Sequence, residues 1–449
     1  MQKQLRHLAL AAGLTVLASS VVPAANAAKP AADQQLLAAV QHADLNQAQQ
    51  ALAAGADANH LQPDGSSLLA WAVDSQYPAM VQLLLAKGAD PNRHNPELPS
   101  FSPLLLACER GDIKIVAQLL AAGADVSASS ETGIAPLALC AAHTDAATVA
   151  ALLALGAQVD ASDQAGQSAL MHAAAAGNSA VVSQLLAKGA DANRTTEAGS
   201  TPLMFALKSS TDEAALQLLA SGADASYTAP DGTTMVQLAM YQQQYALAAR
   251  FIEQGVDLNA YDRNGNQLLH AAIRAHQPEL VQLLLAKGAD ANALTGKSKV
   301  TWRYEVNFTA RPYLVYAQSP LLLAAQSGQV AVMRMLVDAG CDTRFTSDDG
   351  NNVVLASAQS NAASLAYALE LQPDANVTNQ LGQTPLHRLL SIGTDSGITN
   401  DDIAAMLRLL AKQGARTDIA DHGGSTAAEL GSREQYRSQA DFLAVFSNN

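Results

Sequence analysis

Aromatic residues make up only 4% of this 449-residue chain, so its interior cannot be built around large rings. Cysteine occurs three times, too few and at the wrong spacing for a disulfide framework or a Cys-rich metal site. Basic residues are scarce: 26 Lys and Arg face 40 Asp and Glu, a formal charge of -14. A chain so acidic repels nucleic acid and anionic lipid and stays in solution, although a basic protein surface remains compatible with it. Enzyme signatures are also missing. There is no Gly-x-Ser-x-Gly elbow, no phosphate-binding loop, no dinucleotide fingerprint and no His-Glu-x-x-His. No pair of histidines stands at metal-binding spacing on a helix, and neither a catalytic set, a cofactor nor a metal is expected. Asp395, Asp401 and Asp402 lie close together but lack the ordered oxygen ligands of a calcium loop.

Long apolar runs are confined to the start. Lys3 and Arg6 precede an uncharged stretch, Leu8 to Ala18, and Ala25-Asn26-Ala27 fits a small-x-small cleavage site. That is a secretory signal peptide over 1–27, too short to span a bilayer. No cysteine follows it to carry a lipid, and no later stretch could cross a membrane. The mature chain is expected to be exported, and its alanine-rich leader and repeats suggest a Gram-negative bacterium, hence the periplasm or beyond. Losing Lys3 and Arg6 takes the charge from -14 to -16.

What the chain does have is repetition. VQLLLAKGAD occurs unchanged at Val81–Asp90 and Val281–Asp290. Its glycine recurs at Gly55, Gly88, Gly123, Gly156, Gly189, Gly222, Gly255, Gly288, Gly340 and Gly414, mostly 33 residues apart. A fixed period of that length marks a stacked array. The gap before Gly340 is 52 residues and hides an insertion; the gap before Gly414 hides a degenerate unit with Gln372, Pro373 and Asp374 at its corner. The corner loop from Arg93 to Ser102 is slightly extended.

The physics of one unit is readable. Apolar residues before the glycine form the buried stripe of a short helix, and the glycine ends it in the left-handed region. About ten residues on, Asp64-Gly65, Asp231-Gly232, Asn264-Gly265 and Asp349-Gly350 signal tight turns. Then Ser102-Pro103, Thr201-Pro202, Ser319-Pro320 and Thr384-Pro385 cap and start the next helix. Such a unit cannot bury its apolar face alone, so neighbours must stack.

This pattern resembles the ankyrin repeat. Thr384-Pro385-Leu386-His387 carries the family's Thr-Pro-Leu-His, and Leu268-Leu269-His270-Ala271-Ala272 is a near copy. The resemblance runs from Ala31 to about Phe446. It implies an all-α solenoid of about eleven helix-turn-helix units with projecting β-turn fingers, a C-terminal cap and a concave face that grips other proteins. The expected layout is a capping repeat over 28–60, repeats over 61–294, an inserted finger over 295–318, repeats over 319–420 and a cap over 421–449. Arg433, Glu434, Arg437 and Asp441 give that cap a polar outer face. His270 and His387 match the family histidine that braces adjacent turns, and His172, like Trp71, falls in a leucine-like slot.

Two groups of residues need their bland reading beside the functional one. Cys108 and Cys140 sit in first helices of adjacent units where small residues pack, and stacked helices are expected to hold their backbones too far apart for a bond. Cys341 takes an alanine's place at a corner, and the recurrent Asp57, Asp90, Asp191, Asp224 and Asp290 are expected to fix corners through backbone N–H groups. The insertion is different. It carries Trp302, Tyr304, Phe308, Tyr313 and Tyr316, five of the chain's 19 aromatics, with Lys297, Lys299, Arg303 and Arg311 against one Glu305. Val300 to Phe308 alternates in the β manner, so a long hairpin-like finger is expected. It either packs on its own repeats or contacts a partner. Trp302, Arg303, Tyr304, Phe308, Arg311 and Tyr313 are the candidate contact residues, aromatics and arginines being the commonest hot-spot types. Gln237, His270 and Leu322 are expected to line the floor. The chain is thus read as a monomeric, non-catalytic exported scaffold for another protein; the alternative is an inhibitor or immunity protein that blocks a toxin or envelope hydrolase.

Overall fold

The computed structural model describes residues 24–446 apart from 63–64, 94–101, 210, 263, 297–301, 305–309, 313–316, 393–396 and 433–438. Residues 1–23 of the expected signal peptide, the 94–101 loop, Asp395, Arg433, Glu434 and Arg437 therefore lie outside the described residues. The chain divides into two compact units, Met1–Gln164 and Ala165–Asn449.

The first unit runs from helix pair Ala24–Gln41 and Leu45–Ala53 to the pair Pro136–His143 and Ala146–Ala154. First helices pack on first helices and second on second. In Pro78–Ala86 the stripe Met80, Val81 and Leu84 is fully buried, while Gln82 between them faces water. Each leucine so buried contributes roughly 1.5–3 kcal/mol. Ser102 caps Pro103–Arg110 by accepting from Leu105 N (3.2 Å), as the Ser-Pro signal requires.

A bond between repeats overturns one expectation. Cys108 and Cys140 are disulfide-bonded, with Cα atoms 4.5 Å apart. They are 32 residues apart, one short of the period, so Cys140 sits one position earlier in its helix than Cys108 does. The helices carrying them, Pro103–Arg110 and Pro136–His143, are in direct contact, and small side chains let their backbones come this close.

The second unit runs from the pair Ala169–Ala175 and Ser179–Ala187 to the pair Ala427–Gly431 and Gln439–Phe446, again with first helices stacked on first helices. Thr201, Ser319 and Thr384 all cap the helices that their following prolines begin. The degenerate corner lacks the left-handed residue of the others, its helix ending on an extended Gln372 (φ -134°), but keeps the aspartate turn: Asp374 accepts from Asn376 N (2.9 Å). Phe442, 3% exposed, anchors the last helix and stacks on Phe446.

Within each unit, neighbouring repeats are stitched by asparagine side chains, which the sequence reading did not single out. An asparagine two residues past the corner aspartate reaches the next corner. In the first unit Asn59 Nδ2 donates to Gly88 O (2.8 Å) and its Oδ1 accepts from Asp90 N (2.7 Å); Asn92 does the same with Gly123 and Asp125. Asp33 fills this role ahead of the first corner, accepting from Asp57 N (2.7 Å). In the second unit Asn193 bridges to Gly222 and Asp224, Asn292 to Gly340 and Asp342, and Asn376 to Gly414 and Arg416. The corner aspartates themselves accept from the backbone N–H two residues on, as expected, at 2.8–2.9 Å.

Finger turns also touch edge to edge. Gln380 N donates to Asp349 O (3.0 Å), and His422 N to Leu381 O (2.8 Å). Gly350 has φ +82°, and a Cβ there would lie 2.6 Å from Gln380 N. Gly350→Ala should therefore strain its own backbone and force the next finger off its hydrogen bond, costing about 2 kcal/mol. A urea titration reads this directly, and an unchanged midpoint would contradict the contact.

Candidate protein-binding surface

The inserted segment begins and ends at one point. Thr295 N donates to Gln318 O (3.0 Å), and Gln318 N returns to Thr295 Oγ1 (2.9 Å). Beyond this clasp, Trp302–Tyr304 pairs antiparallel with Ala310–Pro312, placing Trp302 opposite Pro312, Arg303 opposite Arg311 and Tyr304 opposite Ala310. The expected hairpin is thus present in the backbone. Four of the six candidate contact residues, Trp302, Arg303, Tyr304 and Arg311, sit in its strands; Phe308 and Tyr313 lie outside the described residues.

The base is fixed from several sides. Gly296 N donates to Gly265 O on the preceding finger (2.7 Å), a register that seats the Tyr261 ring against Gly296. Arg274 Nη2 donates to Gln318 Oε1 (3.2 Å) while its Nε holds Asn266 Oδ1 (3.2 Å). Underneath, Gln267 N donates to His270 Nδ1 (3.3 Å), and His270 Nε2 donates to Ala293 O (3.0 Å), two residues before the clasp. That pattern requires the neutral ring protonated at Nε2. Burial holds the imidazole down to about 4, and the Arg274 charge adds to this, against the Ala293 bond and Asp262, which favour the cation.

Three residues expected on the floor are not there. Gln237, His270 and Leu322 are 2%, 0% and 2% exposed. The N3 position they share turns back toward the helix start, so the side chain braces the finger turn and does not reach the surface. His270 and His387 do brace turns: His387 Nδ1 lies 2.8 Å from Thr384 Oγ1 and its Nε2 reaches Ser425 O at 3.0 Å. Gln237 is their substitute, its Oε1 accepting from Thr234 N (3.0 Å) and its Nε2 donating to Ala260 O (3.2 Å). The signal that could have exposed its role is its place three residues after Thr234, where His387 stands after Thr384. His172 is half-buried, as expected of its slot.

The surface residues that the sequence reading missed are two tyrosines. Tyr241 and Tyr261 are 46% and 47% exposed, and Leu294 beside them 38%. Tyr261 Oη donates to Leu294 O (3.2 Å), which ties one finger to the next. They stand 20 residues apart, off the repeat period, one at a helix end and one in the following finger, so the repeat pattern does not mark them.

Asp125 and Asp224 are held below the ordinary carboxylate range by hydrogen bonds from Ser127 and Ser226, as turn carboxylates should be. Burial pushes the half-buried Cys341 thiol up to about 11, so almost no thiolate forms near neutrality. Among the described residues no group of three or more His, Cys, Asp or Glu is arranged to hold a metal, and no helix is long and apolar enough to cross a membrane.

Stacked helix pairs, left-handed glycine corners and hydrogen-bonded fingers define a repeat protein. The family model for ankyrin repeats, in three copies, matches residues 36–130, 137–229 and 210–295, more than half the chain. The chain belongs to the ankyrin-repeat family, whose repeats generally mediate protein–protein interaction. The matched residues end at 295, where the hairpin segment starts, and the helix pairs beyond it keep the same caps and corner bonds. No curated protein matches the chain.

Proposed function

We propose that this is a non-catalytic, exported bacterial scaffold that binds another protein through the hairpin at 297–316 and the finger surface around its base. The observation that carries the reading is the clasp. Backbone and side-chain bonds from Gly265, Thr295, Gln318, Arg274 and His270 fix the root of a segment that the stack does not need. A pre-ordered root lowers the entropy lost on docking. The hairpin's composition, basic and aromatic on an acidic, aromatic-poor chain, suits recognition. A periplasmic location is supported by the leader's form and by the Cys108–Cys140 bond, which persists only in an oxidising compartment.

Deleting 297–316 should leave helical circular dichroism intact, because Thr295 and Gln318 already meet. It should abolish capture of the partner that the mature chain pulls from the envelope fraction. Recovery of that partner by the deletion variant at wild-type yield would sink the proposal.

A further inference from the structure

The hairpin is not the only built feature on this surface. A groove of about 430 Å³ lies between the helices Pro202–Ala206 and Met235–Tyr241 and the finger turns that precede them and their neighbour. Its floor is apolar: Met204 and Leu238 are 7% and 8% exposed, enough to touch an entering side chain. Pro230 and the Tyr241 ring line its sides.

The charges at the groove are uneven. Asp231 is exposed at the turn and its Oδ1 accepts from Thr233 N (2.9 Å). Asp262 is buried at the inner end, where its Oδ1 accepts from Asn264 N (2.7 Å) and Asn266 N (2.8 Å). The hydroxyl of Tyr241 donates to the same carboxylate and accepts from Asn264 Nδ2 (3.3 Å), which fixes the exposed ring in one place. Among the described residues Lys208 is the one cation lining the groove, and its ammonium lies over the Phe205 ring at 5.7 Å. Two carboxylates and a clamped tyrosine face suit an incoming cation. A long aliphatic stem would lie on Met204, Leu238 and Tyr241 while its charged head reached Asp231.

Size and continuity decide what carries that cation. The volume holds one or two side chains. Yet exposed apolar side chains follow it: Tyr261, next in the chain to the groove-lining Asp262, and Leu294, whose carbonyl its hydroxyl reaches, stand on the next two fingers, with Leu294 one residue before the clasp. A free small molecule would leave these side chains bare, whereas an extended chain would cover them. On the reading that this protein binds another protein, we propose that the groove takes an extended segment of that partner, carrying an arginine or lysine flanked by aliphatic residues.

The probe is the acetylated, amidated peptide Leu-Arg-Leu-Arg-Leu, titrated calorimetrically into the mature chain at low salt. Leu-Glu-Leu-Glu-Leu and free arginine amide serve as controls. The arginine peptide should bind and the glutamate peptide should not. Asp231→Lys and Tyr241→Ala should each weaken binding about tenfold or more. Asp401→Lys, an equal charge change at the exposed start of a distant helix, should leave it unchanged. Equal losses in the Asp231 and Asp401 variants would reduce the effect to general attraction by an acidic chain and overturn the proposal, as would binding of the glutamate peptide. Arginine amide binding as tightly as the peptide would make this a small-molecule site and overturn it too. The deletion of 297–316 should retain peptide binding. Failure of the groove can thus be told apart from failure of the hairpin.

Discussion

Alanine at both Cys108 and Cys140 is expected to lower the stability of the Met1–Gln164 unit by about 3 to 4 kcal/mol. The magnitude follows from the loop that the bond closes. With the cysteines 32 positions apart, the cross-link removes that much chain entropy from the unfolded state. The native side should lose little else, since both positions are fully buried among alanines such as Ala107 and Ala141 and alanine fits either slot. The melting midpoint of the unit should fall by roughly 10 °C. Reductant should bring the wild type down to the same midpoint, and only once the unit opens, because neither sulfur is exposed in the fold. Titration of unfolded, unreduced protein should find a single thiol, that of Cys341. Three thiols, or identical melts with and without the bond, would refute this.

Acid should destabilise the Ala165–Asn449 unit through His270. The fold accommodates only the neutral ring, since Nδ1 must accept from Gln267 N, and burial holds the group down to about 4. The unfolded chain instead takes up a proton near the ordinary 6.5. Protons therefore favour the unfolded state between those values. The contribution is complete above about pH 6.5 and is lost as pH falls toward 4, a loss of about 3 kcal/mol. Asp262 and Arg274 are the charged groups facing the ring, and they act in opposite senses. His270→Gln supplies the control, because Gln237 already makes both bonds in the same slot of the preceding repeat. That variant should melt like wild type at pH 7 and stay higher at pH 4.5. His270→Ala leaves Gln267 N and Ala293 O unpaired and should cost about 3 kcal/mol even at pH 7. If wild type and His270→Gln lose stability in parallel, another group carries the acid response.

Most of the architecture was written in short-range terms. Glycine corners, Ser-Pro and Thr-Pro caps and the apolar stripe are local rules repeated along the chain, so the helix pairs could be placed before any coordinate existed. What escaped were features that depend on how repeats face one another. The spacing of Cys108 and Cys140 departs from the period by one residue, and only the close approach of two helices shows that this brings the bond within reach. The asparagine bridges pair residues that look like ordinary turn formers when read singly. Gln237, His270 and Leu322 were placed on the surface because their helix faces the fingers, yet the N3 position directs a side chain back beneath the turn. Tyr241 and Tyr261 do not recur with the repeat, and only the arrangement of the neighbouring fingers shows them uncovered. The hairpin root was legible only as an interruption, since its clasp joins Thr295 to a partner 23 residues away.

The bridge at Asn292 has a wider consequence. Asn59 reaches its two partners across 29 and 31 residues, whereas Asn292 makes the same pair of bonds across 48 and 50. The staple closes as though the nineteen extra residues were not there. Lengthening such an excursion costs little, because the penalty grows only with the logarithm of its size. The position therefore works as a socket, in which evolution or a protein engineer can exchange one recognition element for another while the repeats beneath keep their joinery.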